Sequence, residues 1–553
     1  MPPKLWTGSP TPKRWQRTLL KLSAVVLIAQ TFAPAPSVAD TAPPPGELKT
    51  ITADDLPTWQ TDGVVWSIAV VGDVVYAGGN FDHIRPPGTA PGASAELPRH
   101  NLAAFNAATG EPLSWNPVVD AVTFTSANPQ GGCDNLGNNQ WRCDSVRAVR
   151  ASADGTKLYV AGDFTTVNKQ PRGKIASFTL PDGALTGFTA TINSRVKALA
   201  VGDNTVYAGG YFTTVNGTPR QRLASFTSDG TLTPWAPNAD RGVHAMTISP
   251  DGSRVILGGD FDTINGNPPH GLGAVHAGTG ASASWATGVP APSGSRRSVI
   301  TDLIKDDDTI YAAAEGTGTF DGRLALNPDD GTTRWIDHCL GATQALTLLD
   351  GVLYSGSHAH NCSTQPDGFP EITPGSPAQR LLAQPARPTG ETPPILHWFP
   401  NTNNGTASDH QGPRALGNNG KHLWVGGEFT TVNNQPQQGL THFAALAAGQ
   451  DINKPESTPA PQVIKPEGTT GALKVTWKQT WDRDNKKLTY EVVRNATTVV
   501  HTVQAESKFW DLQTMTFTDT GLEPGSTHTY SIRAIDHFGN RFWSAQSAPA
   551  QAG

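Results

Sequence analysis

The sequence predicts an all-β chain, a ring of seven four-stranded units followed by one smaller β domain. Three observations carry this reading. One motif recurs along most of the chain, about 48 residues apart where nothing is inserted, which suits a four-stranded propeller blade. Each copy follows a short alternating apolar run and precedes an aromatic residue, with Asp-Gly or Asn-Gly turn signals between the runs. The composition is rich in glycine (57) and proline (45) and only 16% charged, as expected of short strands and many turns.

The clearest copy is "VYAGGYFTTVNGTPRQRLASF", from Val206 to Phe226. Close copies begin at Val75, Leu158, Val255 and Leu423, and weaker ones at Ile310 and Leu353. In each unit the first strand is a "VxAL" run such as "VKALAV", the second is "VYAGG" and the third is "LASF". The fourth ends at Trp115, Trp235, Trp285, Trp335 or Trp398, with Phe188 standing in once. Gly209 and Gly210 read as close-packing positions near a crowded ring axis, and Asn216-Gly217 as a turn. A phosphate-cradling loop would need a following helix, which is missing from the pattern, so Arg220 and Arg222 go with scaffold. The seventh copy runs out at "LTHFAALAAGQD" without its tryptophan, while Trp59 near the start is a fourth-strand signature without its own first three strands. The strand around Trp59 is therefore expected to complete the last unit, giving a seven-bladed β-propeller over residues 40–450.

The "YxGGxFxxvNGxxxxxLAxF" core resembles that of secreted bacterial propellers built from the delta-sixty type of repeat, kin in shape to Kelch and WD-repeat propellers. The resemblance specifies a fold and says little about activity.

The first 39 residues read as a signal peptide. Lys4, Lys13, Arg14, Arg17 and Lys21 precede or enter the apolar run "LLKLSAVVLIAQTFA", and "SVA" supplies small residues for cleavage after Ala39. Their removal takes away five basic and no acidic side chains, leaving 36 basic against 47 acidic, a net charge of −11. No basic stripe remains for a phosphate backbone, which argues against a nucleic-acid partner. Four cysteines in an exported chain read as disulfides, paired by sequence proximity as Cys133–Cys143 and Cys339–Cys362.

"DINKPESTPAPQ" marks a Pro-rich linker over residues 451–460, and the pattern changes after it. "GALKVTWKQT", "KLTYEVVRN" and "LEPGSTHTYSIRAIDHFGN" resemble a fibronectin type III module over residues 461–553. The resemblance implies that Trp477 and Tyr490 are core residues and that Leu522, Pro524, Gly525 and Tyr530 form a tyrosine corner. Asp482 and Asp484 in "TWDRDNKKL" lack further carboxylates at liganding spacing and read as a solvated loop.

For chemistry, the residue before the repeat phenylalanine is acidic at Asp163, Asp260 and Glu428 but Asn80 and Tyr211 elsewhere. These are weak catalytic candidates, since recurrence favours a local acid capping the next turn once per unit. Neither GxSxG nor HExxH appears. His358, His360 and Cys362 read as a surface loop stapled by the second disulfide, and Asp306–Asp308 as a hairpin turn. No metal site and no cofactor are expected. The polar insertions "CDNLGNNQWRC" and "NTNNGTASDHQGPR" are the better binding-loop candidates, through Trp141, Asn138, Asn139, Asp409, His410 and Arg414. The expectation is a secreted monomer whose propeller face binds a glycan or cell-envelope polymer, with the C-terminal module as spacer. The alternatives are a polysaccharide-degrading glycosidase and a cell-surface scaffold for a protein partner.

Overall fold

The computed structural model describes residues 48–126, 133–286, 289, 297–316, 319–373, 376–405, 410–445 and 451–553. The expected leader and Asp409 lie outside them. Every regular element among the described residues is a strand, and no helix is long and apolar enough to cross a membrane.

Seven antiparallel sheets carry the repeat. Their first strands are Val64–Val71, Val146–Ala151, Val196–Val201, Val243–Ile248, Ser298–Lys305, Thr343–Leu349 and Pro413–Asn418. In the third sheet Val196–Val201 pairs with Thr205–Gly210, which pairs with Leu223–Thr227. Each first strand contacts the first strand of the next sheet, and Pro413–Asn418 contacts Val64–Val71 in turn. The glycines permit this proximity. A Cβ on Gly209 would lie 2.6 Å from Val243 Cγ1 in the following sheet, and one on Gly426 would lie 2.5 Å from Val65 Cγ1.

The fourth strand is reduced relative to the sequence expectation. Among the described residues, only the fifth sheet has one of its own, Thr333–Asp337. Elsewhere single bridges such as Phe105–Pro112 and Phe226–Leu232 stand in its place. The outermost strand is an edge, and its Thr-, Gly- and Pro-rich segments are too short to sustain a ladder. Its aromatic residue nevertheless packs inward. Trp115, Trp235, Trp335 and Trp398 lie against Tyr76, Tyr207, Tyr311 and Tyr354, and Phe188 takes the same place on Tyr159. The indole N–H groups reach the next sheet: Trp235 Nε1 donates to His276 O at 3.1 Å and Trp335 Nε1 to Ala386 O at 2.8 Å.

The N-terminal segment joins the last sheet. Asp55–Leu56 pairs antiparallel with Leu440–Ala444, setting Leu56 opposite His442. Trp59 lies just beyond that strand and packs partly buried against the cluster of Val75, Phe105 and Trp424. Asn216 and Gly217 both have positive φ, 50° and 76°, which makes their two-residue hairpin a primed turn. Asn216 Oδ1 also accepts from Thr191 N at 2.7 Å, so the turn clamps the end of the preceding sheet.

The C-terminal strands form a three-stranded sheet ordered Gln462–Ile464, Ala472–Lys478, Thr514–Thr520 and a four-stranded sheet ordered Thr498–Glu506, Lys487–Arg494, Tyr530–Ile535, Arg541–Trp543. Trp477, Tyr490 and Tyr530 are buried in one shared core. The Tyr530 hydroxyl donates to the Asp519 carboxylate at 2.8 Å rather than to backbone. Phe509 and Trp510 pack against Phe369 and Phe399, with Trp481 packed behind on Phe509, so these sheets are docked on the repeat sheets through aromatic rings.

Both disulfides form as paired from the sequence. Cys339–Cys362 corrects the surface-loop reading: both residues are buried, within the cluster that receives Phe509 and Trp510. His360 leaves that segment to pair with Glu371 at 2.8 Å. Asp306–Asp308 is the expected hairpin turn, with Asp306 Oδ1 accepting from Thr309 N at 2.9 Å. The solvated-loop reading of Asp482 and Asp484 is overturned: Asp482 is 3% exposed. The additional carboxylates come from distant segments rather than from its own loop.

Candidate functional site

Each first strand carries a β-bulge at the same place. Val65 pairs with Gly79 and Ser67 with Gly78, leaving Trp66 between them without a partner. The same shift leaves out Arg147, Lys197, His244, Thr301, Gln344 and Arg414. A bulge re-aims the side chain it skips. All seven side chains line one cavity of about 510 Å³. In sequence they are the variable "x" of the "VxAL" run, a signal legible beforehand as one polar or aromatic position inside an otherwise apolar repeat.

The cavity concentrates positive charge in a chain of net charge −6. Arg147, Arg150, Lys197 and Arg414 line it against Asp302 and Glu315. The Arg147 guanidinium lies 4.1 Å and that of Arg414 5.1 Å from the Trp66 ring centroid. Gln344 bridges the wall, donating to Glu315 Oε2 at 2.8 Å and accepting from Arg414 Nη1 at 3.0 Å. Among the described residues, Lys197 Nζ has no hydrogen-bond or ion-pair partner. Burial pulls its ammonium down to about 8, with Glu315 opposing and Arg147, Arg195 and Arg414 reinforcing the shift. Burial, aided by Lys197 and opposed by Asp260, also lowers His244. Burial raises Asp302 against the pull of Arg150 and of the Leu346 and Leu303 amides. Trp66 Nε1 and His244 Nδ1 are buried without partners among the described residues.

The three recurrent carboxylates stand behind this wall. Asp163 Oδ2 accepts from Arg195 Nε at 2.6 Å and from Ser145 Oγ at 3.0 Å, with Arg147 Nε at 3.8 Å. Glu428 Oε1 accepts from Arg414 Nη2 at 2.7 Å and from Gln411 N at 3.0 Å. Asp260 Oδ1 lies 3.4 Å from His244 Nε2, which also meets the Tyr211 hydroxyl at 2.9 Å. This corrects the expectation that each caps the turn after it. Asp163 and Glu428 brace the cavity's Arg147 and Arg414, and Asp260 and the Tyr211 hydroxyl brace His244.

Among the described loop candidates, only Arg414 reaches the cavity. Asn138 and Asn139 form the exposed positive-φ tip of the hairpin Asp134–Gly137, Gln140–Arg142. Trp141 is half-buried in that hairpin, its Nε1 donating to Ser126 O at 3.0 Å. His410 is exposed.

Repeat sheets with these inner strands define a β-propeller. A family model described as a domain of unknown function (DUF5122) beta-propeller matches residues 202–232, within the third sheet. No curated protein matches the chain. Among solved structures, a chain from "Crystal Structure of Mitotic Checkpoint Complex" is similar at TM-score 0.41 and 11% identity, covering 73% of this chain and 97% of that one.

Proposed function

We propose that this is an exported binding protein whose central cavity holds an anionic, hydroxyl-bearing segment of a glycan or cell-envelope polymer. The carrying observation is the unpartnered Lys197, set in one cavity with Arg147, Arg414 and the Trp66 ring. Cations focused in a recess of an acidic protein attract anions and repel little else. An aromatic ring beside amide and guanidinium donors suits a sugar bearing carboxylate or phosphate groups. The cavity volume falls in the usual range of ligand sites.

The scaffold in this reading is a seven-bladed ring of the delta-sixty repeat type with a fibronectin type III module. The first-strand contacts, which run round and return to Val64–Val71, support the ring. The two antiparallel sheets sharing the Trp477–Tyr490 core support the module. The cationic apolar leader and the pairing of all four cysteines support export.

A second reading is a glycosidase. It rests on Asp302 and Glu315, two carboxylates in the same cavity, the first held up by burial. One experiment separates the readings. The protein is incubated with matched neutral and anionic polysaccharides, and retention and released reducing ends are scored together. Retention of anionic polymers without release supports the binding function. Release, abolished in Asp302→Asn, supports the enzyme. Equal retention of neutral and anionic polymers overturns the anionic-ligand reading.

A further inference from the structure

Three carboxylates from segments far apart in the chain meet at one place, and a fourth, buried, stands near them. Asp451 follows the last repeat strand, Asp482 and Asp484 lie in the loop between Ala472–Lys478 and Lys487–Arg494, and Asp536 opens the turn before Arg541–Trp543. One oxygen each from Asp451, Asp482 and Asp484 lies within 4.8 Å of the others. Asp451, Asp482 and Asp536 are 5%, 3% and 6% exposed.

Like charges buried together are costly unless something neutralises them. Among the described residues, no lysine or arginine forms an ion pair with any of the four. What stands between three of them is one neutral amide: Asn485 Nδ2 lies 2.6 Å from Asp451 Oδ2, 2.8 Å from Asp484 Oδ1 and 3.4 Å from Asp482 Oδ1. Two N–H bonds thus face three carboxylates.

Asp536 supplies an independent sign. Its Oδ1 accepts from Asn540 N at 2.8 Å, but its Oδ2 is buried with no partner among the described residues. Asn540 Nδ2 donates to Asp451 O at 3.1 Å, tying that turn to the cluster, and the Asp536 charge acts on both Asp451 and Asp482. The unsatisfied oxygen is thus carried by a residue tied through Asn540 to Asp451 and close enough for its charge to act on the cluster.

We propose that Asp451, Asp482, Asp484 and Asp536 form a calcium site. The donors are all hard oxygens, which disfavours zinc and copper. Several carboxylates on separate loops make an adaptable all-protein cage, which suits Ca²⁺ better than the small, water-retaining Mg²⁺. The site also has a structural consequence. Asp484 Oδ2 accepts from Ala53 N at 2.5 Å, and Asp54 Oδ2 accepts from Ile452 N at 2.6 Å. Calcium would pin together the C-terminal sheets, the stretch after the last repeat strand and the N-terminal segment that leads into Asp55–Leu56.

The test uses the full chain stripped with EDTA and then titrated with Ca²⁺, Mg²⁺ or Tb³⁺. Ca²⁺ is expected to raise the Tm by several degrees. Trp481, adjacent to Asp482, is expected to sensitise Tb³⁺ emission that Ca²⁺ displaces. Asp484→Asn and Asp536→Asn should lose the Ca²⁺ response yet melt at or above the wild type in EDTA, because each removes one buried like charge. Identical melting in EDTA and Ca²⁺ with no Tb³⁺ signal overturns the proposal, as does a Ca²⁺ response that survives in both variants. An equal shift with Mg²⁺ overturns the assignment to calcium. Should the variants fail to fold, the wild-type Ca²⁺ and Tb³⁺ titrations still decide.

Discussion

The Arg147 guanidinium lies over the Trp66 indole, 4.1 Å from the ring centroid, although 80 residues separate the two in sequence. They occupy the same bulge in adjacent sheets. Arg414, at that bulge in the sheet on the other side, approaches the same ring. One aromatic residue flanked by two neighbours' cations gives the cavity both a hydrophobic surface and a charge.

If this pair is the heart of a binding site, Trp66 and Trp141 should behave differently. Trp66→Ala is expected to weaken retention on an anionic polysaccharide at least tenfold. Trp141→Ala should leave it unchanged, because that indole is engaged within its own hairpin. Affinity measured for both variants, beside their melting curves, checks this. The reverse pattern would return the site to the Cys133–Cys143 loop.

Lys197 should make binding pH-dependent. Its ammonium titrates at about 8 in the free protein, and an anion beside it would raise that value. The proton therefore favours the complex. Affinity should be full below about pH 8 and fall as pH rises above it, by at most about tenfold per unit. Lys197→Met should bind weakly with a flat profile. It should also melt higher than the wild type at neutral pH, since it removes a desolvated charge. Titration calorimetry from pH 7 to 10 provides the check.

His442 should limit stability in acid. It is buried, stacked 4.6 Å from Trp424, and its Nδ1 meets Thr58 Oγ1 at 2.7 Å beside the N-terminal strand. Burial, with help from His422, lowers it to about 4. A histidine lowered in the folded state stabilises fully above its unfolded value and loses that contribution as pH falls toward the folded one. The window is thus about pH 6.5 down to 4, worth up to about 3 kcal/mol. His442→Gln should flatten the stability profile there, measured by urea denaturation.

The N-terminal strand should be required by the repeat sheets as a whole. Removing residues 40–61 takes away Asp55–Leu56, the Ile51 N–H bond to the Tyr354 hydroxyl and the Thr52 carbonyl that accepts from Trp398. The edge of Leu440–Ala444 is then bare. The truncated chain should melt well below the intact one. Gly426→Ala tests the same junction from the other side, and crowding against Val65 should cost on the order of 1–3 kcal/mol.

Much of the scaffold was legible because it is short-ranged. Strand alternation, Asn-Gly turn chemistry and an aromatic residue at the end of each unit act within a few residues. They appear in every copy, so repetition averages out the ambiguity of each. The disulfides followed from neighbouring cysteines. The outer strands were over-read, since an aromatic residue can pack inward on a tyrosine without its flanks holding a ladder.

The cavity was not read, although its residues are written in the repeat as the skipped position of the first strand. A bulge depends on how two strands register, and the convergence of seven such positions depends on how the sheets meet. The carboxylate cluster lay further out of reach. Asp482 and Asp484 were visible as a pair, but Asp451 and Asp536 lie 31 residues before and 54 after Asp482, on segments joined only by docking of the C-terminal sheets. The sequence by itself determined the repeating unit, its turns and its disulfides, because backbone preference and local hydrophobic spacing decide those. Only the tertiary structure decided where charge gathers, because like charges from remote segments come together only when packing brings them there.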